Sequence, residues 1–477
     1  MRGKSTEKSL LGNAAILSAG NFGAKLLGAI YRIPLTNLLG GAGLGLYQMV
    51  FPVYCILLDF AGAGLPCGLS KLVSENVAKG EEYKNPALLK TALFAMAVLG
   101  GAASLAMALF AAPLARLQGN ESAGGAYVAL APAVLFVALL SCFRGYFQGY
   151  MKMAPSALSQ IVEQGVKLAA GLSLAAALLP DVAAAAAGAA AAVTLSELAA
   201  LLQLFIVYRR GRKRGYWKAC GDFPQKATAA ESLKNIIKIC LPVTLVGVIL
   251  PFSQAVDSFL ILNILGKYTQ SATMLYGLFS GGVMSVINLP VSLCYGIAAA
   301  AVPHLAGGEN PRFALYLTAG LSLLAACVCF LMPRLIVRVL FFSLPPNEKD
   351  TAMRLLQLLA PCIVLMSLLQ TVNSMLVARG RAYLPLIGMG VGVTAKVLLE
   401  ILLLPNAQMH IYGAAISLNV CYFVAVLLNL LYSIKVYRNK RGSFPERARR
   451  EDEGLVGKEK QIGTEAGFTG KYKTNRE

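Results

Sequence analysis

Charged side chains are scarce. Asp, Glu, Lys and Arg make up 14% of the 477 residues, where a soluble chain carries about 25%. Histidine occurs only at His304 and His410, too few for a metal cluster built on imidazole. The ten cysteines are scattered singly, most of them inside apolar stretches, and read as small packing residues. No glycine-rich loop ends in Lys-Ser/Thr, no serine sits in a nucleophile elbow, and no polar stretch is long enough for a soluble catalytic domain. These absences argue against an ATPase or a hydrolase, and no catalytic, metal or cofactor site is expected. The basic N-terminus is not followed by a short apolar run with a small-residue cleavage site, so the first span is expected to be retained.

What is abundant is apolar sequence. Hydrophobic residues reach 57% and the mean hydropathy is +0.64. A span needs roughly 20 apolar residues, and the chain holds about twelve such stretches, among them Leu44–Leu69, Leu88–Leu114 and Phe313–Phe342. The net charge of +20 does not describe a nucleic-acid face, because the Lys and Arg gather in alternate connections and at the two ends. Lys71, Lys79 and Lys84 follow the second span, Arg144 and Lys152 the fourth, Arg209 to Lys218 the sixth. The other connections carry little more than Arg116, Lys267 and Lys349. The positive-inside rule then puts both termini in the cytoplasm, and the cations favour anionic lipid.

The halves look related. Ala131-Pro132 is matched by Ala360-Pro361, Pro155 by Pro385 and Tyr47 by Tyr276. Each match lies about 230 residues on, which predicts parallel repeats with a substrate site at their interface. The expected fold is an all-α integral membrane protein of two six-helix bundles. Residues 1–208 form the first bundle, 209–235 a basic cytoplasmic linker, 236–437 the second bundle, and 438–477 a disordered tail.

Polar residues inside spans mark the candidate site, because ionisable groups at membrane depth face a bundle interior or a water-filled cavity. Asn21, Lys25, Gly28 and Arg32 fall within about 60° of one another on a helix. They make either an anion-binding wall, with Arg suited to bidentate phosphate contact, or cations that snorkel or pair with acids. Arg144 lies in the turn before a second stripe, Gln160, Glu163, Gln164 and Lys167. Glu163 with Lys167, and Lys396 with Glu400, have the spacing of intrahelical ion pairs. They either neutralise each other along the cavity or touch substrate. Asp59 and Asp257 are candidates for coupling to H⁺ or Na⁺; Asp257 has no cation within a turn of its own helix, and a structural bond to a neighbouring helix is the alternative. Asn288 and Ser292, on a stripe with Ser285 and Tyr295, read as cavity lining or as interhelical glue.

Three stretches carry a resemblance: Asn21 to Gly40, Gly64-Leu65-Pro66 through Ser70 to Glu75, and Arg144-Gly-Tyr-Phe-Gln-Gly through Ser159 to Gln164. They resemble the stage V sporulation protein B and polysaccharide-biosynthesis family. It belongs to the superfamily of multidrug, oligosaccharidyl-lipid and polysaccharide exporters, with the MurJ-type lipid II flippases. The resemblance implies a flippase in the bacterial plasma membrane that works by alternating access, moving a polyprenyl-diphosphate-linked saccharide such as a peptidoglycan precursor to the outer leaflet. In MurJ-type members cations of the first span serve the diphosphate, and Lys25 and Arg32 match them. Many of these flippases have fourteen spans, whereas this chain turns polar after the twelfth. The expected partners are that lipid and the membrane, with no nucleic acid, and a monomer is expected. The alternatives are a cation-coupled multidrug antiporter and a membrane-embedded polyprenyl glycosyl or phosphate transferase.

Overall fold

The structure, a computed structural model, describes residues 2–60, 65–213, 244, 247–294, 312–378, 381 and 383–439. Every regular element among them is helical. The first helical segment, Arg2–Leu58, is broken at Gly40, whose φ of 63° and ψ of −177° suit a residue without a Cβ. It therefore forms two limbs, α1 (2–39) and α2 (41–58). There follow α3 (Leu65–Ala78), α4 (Asn85–Leu109), α5 (Ala111–Leu117), α6 (Gly124–Gly149), α7 (Met153–Leu178) and α8 (Val182–Lys213). The second half holds α9 (Gly247–Leu265), α10 (Ala272–Cys294), α11 (Arg312–Leu331), α12 (Pro333–Leu340), α13 (Pro346–Ala378), α14 (Tyr383–Leu403) and α15 (Tyr412–Asn439). Eleven helices among the described residues are long and apolar enough to cross a membrane; the first of these, Leu26–Leu58, contains the break at Gly40, so its limbs supply the first two spans of the expected plan.

Several expected boundaries move. The span expected at Leu88–Leu114 ends at Leu109 and is followed by the short α5; the one expected at Phe313–Phe342 ends at Leu331 and is followed by α12. A proline lies in the first turn of each short helix, Pro113 and Pro333, where it is tolerated but cannot continue the preceding helix. The same device at corresponding places underlines the repeat. The span expected at Leu44–Leu69 ends at Leu58, and its last residues with the connection after it form the separate helix α3, which buries Leu65, Gly68, Leu69 and Val73, while Lys71 and Glu75 stand exposed one turn apart. Residues 209–213 of the expected linker prolong α8, and 438–439 of the expected tail end α15; the remainder of both segments lies outside the described residues.

In the first half α7 packs on α8, α8 on α6, α6 on α4 and on α3, and α1 on α7; in the second α14 packs on α15 and α13 lies against both α15 and α11. Large apolar side chains such as Phe94, Phe313 and Leu331 point outward, as lipid-facing positions do. The halves meet where α2 crosses α10, and the crossing is built from glycines. A Cβ on Gly45 would fall 2.9 Å from the carbonyl carbon of Thr273 and closer still to its oxygen, and one on Gly277 would fall 2.8 Å from the Cα of Gly45. Gly41 and Gly281 lie one turn away on the same two faces. Small residues every fourth position let helix backbones touch, the main source of association energy where lipid competes with apolar side chains. After a first α-helical turn, Ala272–Tyr276, α10 is wound as a π-helix over Gly277–Val283. In such a turn a main-chain carbonyl is released from the regular ladder, and the carbonyl of Ser280 here accepts the Gln48 amide at 2.9 Å.

Candidate transport site between the two halves

Polar contacts between the halves, among the described residues, gather beside this crossing. Asn37 donates to the carbonyl of Leu340 at 2.6 Å and accepts from the Ser343 amide at 3.0 Å. The Gly41 amide donates to Glu348 at 3.0 Å. Gln118 donates to the Ser258 hydroxyl at 3.0 Å and is held for it within its own half by the Met49 carbonyl, to which it donates at 3.1 Å, and by Tyr127, from which it accepts at 2.7 Å. Asn120 reaches Thr273 at 2.9 Å. All lie near the cation-poor connections, so the halves are bolted together at that end.

Below the bolt lies a cavity of about 90 Å³ bounded by both halves. Arg32 and Phe51 come from the first half; Gln254, Asp257, Asn288 and Lys396 come from the second. Arg32 has no carboxylate partner among the described residues; its guanidinium stands over the Phe51 ring, 5.9 Å from the centroid. Lys167 reaches the same ring at 5.2 Å, and Tyr31 at 5.8 Å. Glycines bring these groups together. Gly28 lets α1 lie against Gln164, and Gly171 of α7 lies beneath Tyr31, whose Cζ would be 2.8 Å from a Cβ there. Cations over an aromatic face are held by the ring quadrupole while their hydrogens stay free for an anion.

The ion pairs differ from those that spacing suggests. Glu163 does not pair with Lys167 four residues on; it binds Arg144 at 2.9 Å, and that guanidinium also donates to Ser159 at 3.1 Å. Gln164 donates to the other Glu163 oxygen at 3.0 Å. Arg144 reaches back from the last turn of α6 across the loop to α7, and this tertiary contact takes precedence over an i,i+4 pair worth only about 0.2–0.5 kcal/mol. Arg144 and Glu163 thus clamp α6 to α7 and do not line the cavity. We expect Arg144→Ala to lower the melting temperature of the purified protein, with much of the loss restored by adding Glu163→Gln, which removes the orphaned charge.

Likewise Lys396 pairs with Asp257 on α9 and donates to Ser253 at 3.0 Å. Asp257 is therefore not the unpaired acid its own helix suggests; its cation arrives from α14. Glu400 is fully buried and lies away from the cavity wall. Ser292 turns its hydroxyl to the Asn288 carbonyl at 2.7 Å, which is helix back-bonding, and does not line the cavity. Gln160 is half-buried with its carbonyl oxygen lacking a partner. Asp59 closes α2 away from the cavity, its carboxylate beside Gly247, and forms no ion pair among the described residues. The side chains of Asn21 and Lys25, and all of Tyr295, lie outside the described residues. Sequence reasoning missed Gln48, Phe51, Gln118 and Glu348; the first three are polar or aromatic residues within a few turns of cation-poor connections, the one signal that sets them apart.

Two helical halves joined by a glycine crossing, with a charged cavity between them, define a membrane transporter of the flippase and exporter type. The chain belongs to the polysaccharide biosynthesis protein family, whose family model matches residues 10–308. It is similar to stage V sporulation protein B of Bacillus subtilis (strain 168), 26% identical over 449 residues covering 90% of this chain and 84% of that protein. It is also similar to the lipid II flippase MurJ of the same organism, 24% identical over 453 residues, 88% of this chain and 82% of that one. The fold is shared with a multidrug resistance MATE family transporter of the MOP superfamily in an inward-facing conformation. That structure matches with a TM-score of 0.71 at 16% identity, covering 88% of this chain and 96% of the other.

Proposed function

We propose that this protein is a flippase for a polyprenyl-diphosphate-linked saccharide, of the kind used as a peptidoglycan precursor, carrying it from the inner to the outer leaflet with no catalytic step of its own. The observation that carries the reading is the pair of cations at Phe51. Arg32 and Lys167 have no carboxylate partners among the described residues, and Arg32 lines the cavity between the halves. A diphosphate supplies the missing negative charge, and a planar guanidinium binds it bidentately. With both termini cytoplasmic, the orientation the positive-inside rule favours, the bolted end is the outer one. The conformation described is then closed on the outer side, and loading from the inner leaflet requires its walls to part further. Rocking of one half on the other exposes the head group outside while the tail stays in lipid. A multidrug antiporter would bind cationic cargo with the acid of the same cavity, Asp257, but that acid is already matched by Lys396.

The test is binding of a lipid-linked disaccharide-peptide diphosphate to purified protein. Arg32→Ala is expected to weaken it by roughly 10- to 100-fold, the loss of one or two charge-assisted hydrogen bonds, and Arg32→Ala with Lys167→Ala further. If the wild type binds no such lipid yet exchanges cationic drugs against a H⁺ or Na⁺ gradient, the antiporter is the right reading.

A further inference from the structure

The helix α12 takes no part in the cavity, and in the bolt only through the carbonyl of its last residue, Leu340, which Asn37 holds. At about 100° per residue its side chains fall into stripes. Pro333 and Val337 are buried against the bundle, with Ile336 and Leu340 half-buried beside them. Leu335 and Val339 point outward, 53% and 62% exposed. Between the buried stripe and the outward one stand Arg334 and Arg338, one turn apart. Both are exposed and form no ion pair among the described residues. The acids nearest in sequence do not offset them: Glu348 accepts the Gly41 amide, and Glu348 and Asp350 are matched in number by Lys349 and Arg354. The corresponding helix of the first half, α5, differs, because its one cation, Arg116, pairs with Glu121 at 3.1 Å. Topology does not explain the two arginines either. On the orientation favoured above, α12 lies on the side that the positive-inside rule leaves poor in cations.

We propose that α12 is a docking surface for anionic phospholipid at the bolted end, with Arg334 and Arg338 on the lipid phosphates and Leu335 and Val339 among the acyl chains. An amphipathic helix with cations on one stripe and large apolar residues on the next lies in the plane of the interface, its apolar side sunk to where head groups meet chains. The preceding helix puts it there: α11 is of membrane-crossing length and ends at Leu331, so α12 begins where the hydrocarbon ends. Every phospholipid offers a phosphate that a guanidinium can take bidentately. In a zwitterionic lipid the ammonium of the head group cancels that charge. An anionic lipid keeps it, and two unpaired arginines one turn apart gain from it. A protein partner fits less well, because the outward stripe runs on into the exposed Leu331 and Met332 at the lipid-facing end of α11. This surface requires only that the helices cross a membrane; it does not depend on the diphosphate reading.

The test uses the full chain freed of its native cysteines, with Leu335→Cys carrying a bimane label, in phosphatidylcholine vesicles. A rising fraction of brominated phosphatidylglycerol, or in parallel of brominated phosphatidylcholine, quenches the label when that lipid sits at α12. Phosphatidylglycerol is expected to be preferred by roughly 5-fold per arginine at low salt and by less at high salt. Arg334→Gln with Arg338→Gln should bring the two lipids level. The same label at Leu117→Cys on α5, where the cation is paired, should show little preference. Equal quenching by the two lipids before the arginines are changed, a preference that survives in the double variant, or a label that neither lipid quenches would each overturn the proposal. Should the double variant fail to fold, salt decides, and a preference that high salt leaves unchanged would overturn it too. No cargo is present, so Arg32→Ala, which tests the diphosphate reading, is expected to leave the preference as it is.

Discussion

Replacing Gly45 by valine is expected to hold the bolted end open and abolish transport. The first atoms that a side chain there would meet are the main-chain carbonyl of Thr273, which cannot rotate away. Overpacking of this kind costs about 1–3 kcal/mol, and each 1.4 kcal/mol is tenfold in a population. The closed form should therefore fall by roughly 5- to 140-fold. The measurement is disulfide formation between Asn120→Cys and Thr273→Cys, residues whose side chains bond at 2.9 Å, in a background lacking the ten native cysteines. Gly41→Ala is the graded comparison. Its Cβ would meet the side chains of Met274 and Glu348, which can shift, so a smaller loss of crosslinking is expected. Gly23→Ala, with nothing near the added carbon, should leave the yield unchanged. Equal yields in all three would show that the halves close without the crossing.

The second large effect concerns stability. Lys396 is almost wholly buried and is the partner of Asp257. Lys396→Met keeps the length of the side chain but leaves Asp257 and Glu400 beside each other with no cation. Removing one partner of a buried pair costs about 3–5 kcal/mol, mostly the cost of the charge left behind. We expect a large fall in thermal stability in detergent and poor yield from membranes. Adding Asp257→Asn should restore most of the loss, since it removes the stranded charge and leaves an amide that can still bond Glu400. A double variant no more stable than Lys396→Met would mean that Lys396 matters through packing, and the pair's electrostatics would carry little weight.

The fold was largely legible because the bilayer makes it so: each span has to be long and apolar, and alternate connections carry the cations. The break at Gly40 falls at the expected boundary between the first two spans, but the prolines beginning α5 and α12 were less legible. A kink or a short interfacial helix costs little in mean hydropathy, so Leu88–Leu114 and Phe313–Phe342 each read as one span. The site was legible in its residue types but not in its partners. Spacing can propose Glu163 with Lys167 and Lys396 with Glu400, because those neighbours are fixed by the helix itself. It cannot see that Arg144 returns across a loop, or that Asp257 comes from another helix, because those contacts exist only after packing. Phe51 carried no charge to draw notice, yet its ring places two cations together.

The cavity between the halves has a consequence for the order of events in a transport cycle. Pockets that enclose a drug-sized ligand measure about 300–1,000 Å³, and this one has about 90 Å³. The saccharide head group proposed as cargo is larger than this space, so on that proposal capture begins while the walls are further apart. Association then runs only through that wider form, and its rate scales with how often the form is visited, well below the rate of encounter. On the flippase reading proposed above, selection among lipid head groups falls at the moment of entry, on the cations presented at Phe51, before any enclosed fit exists to judge them.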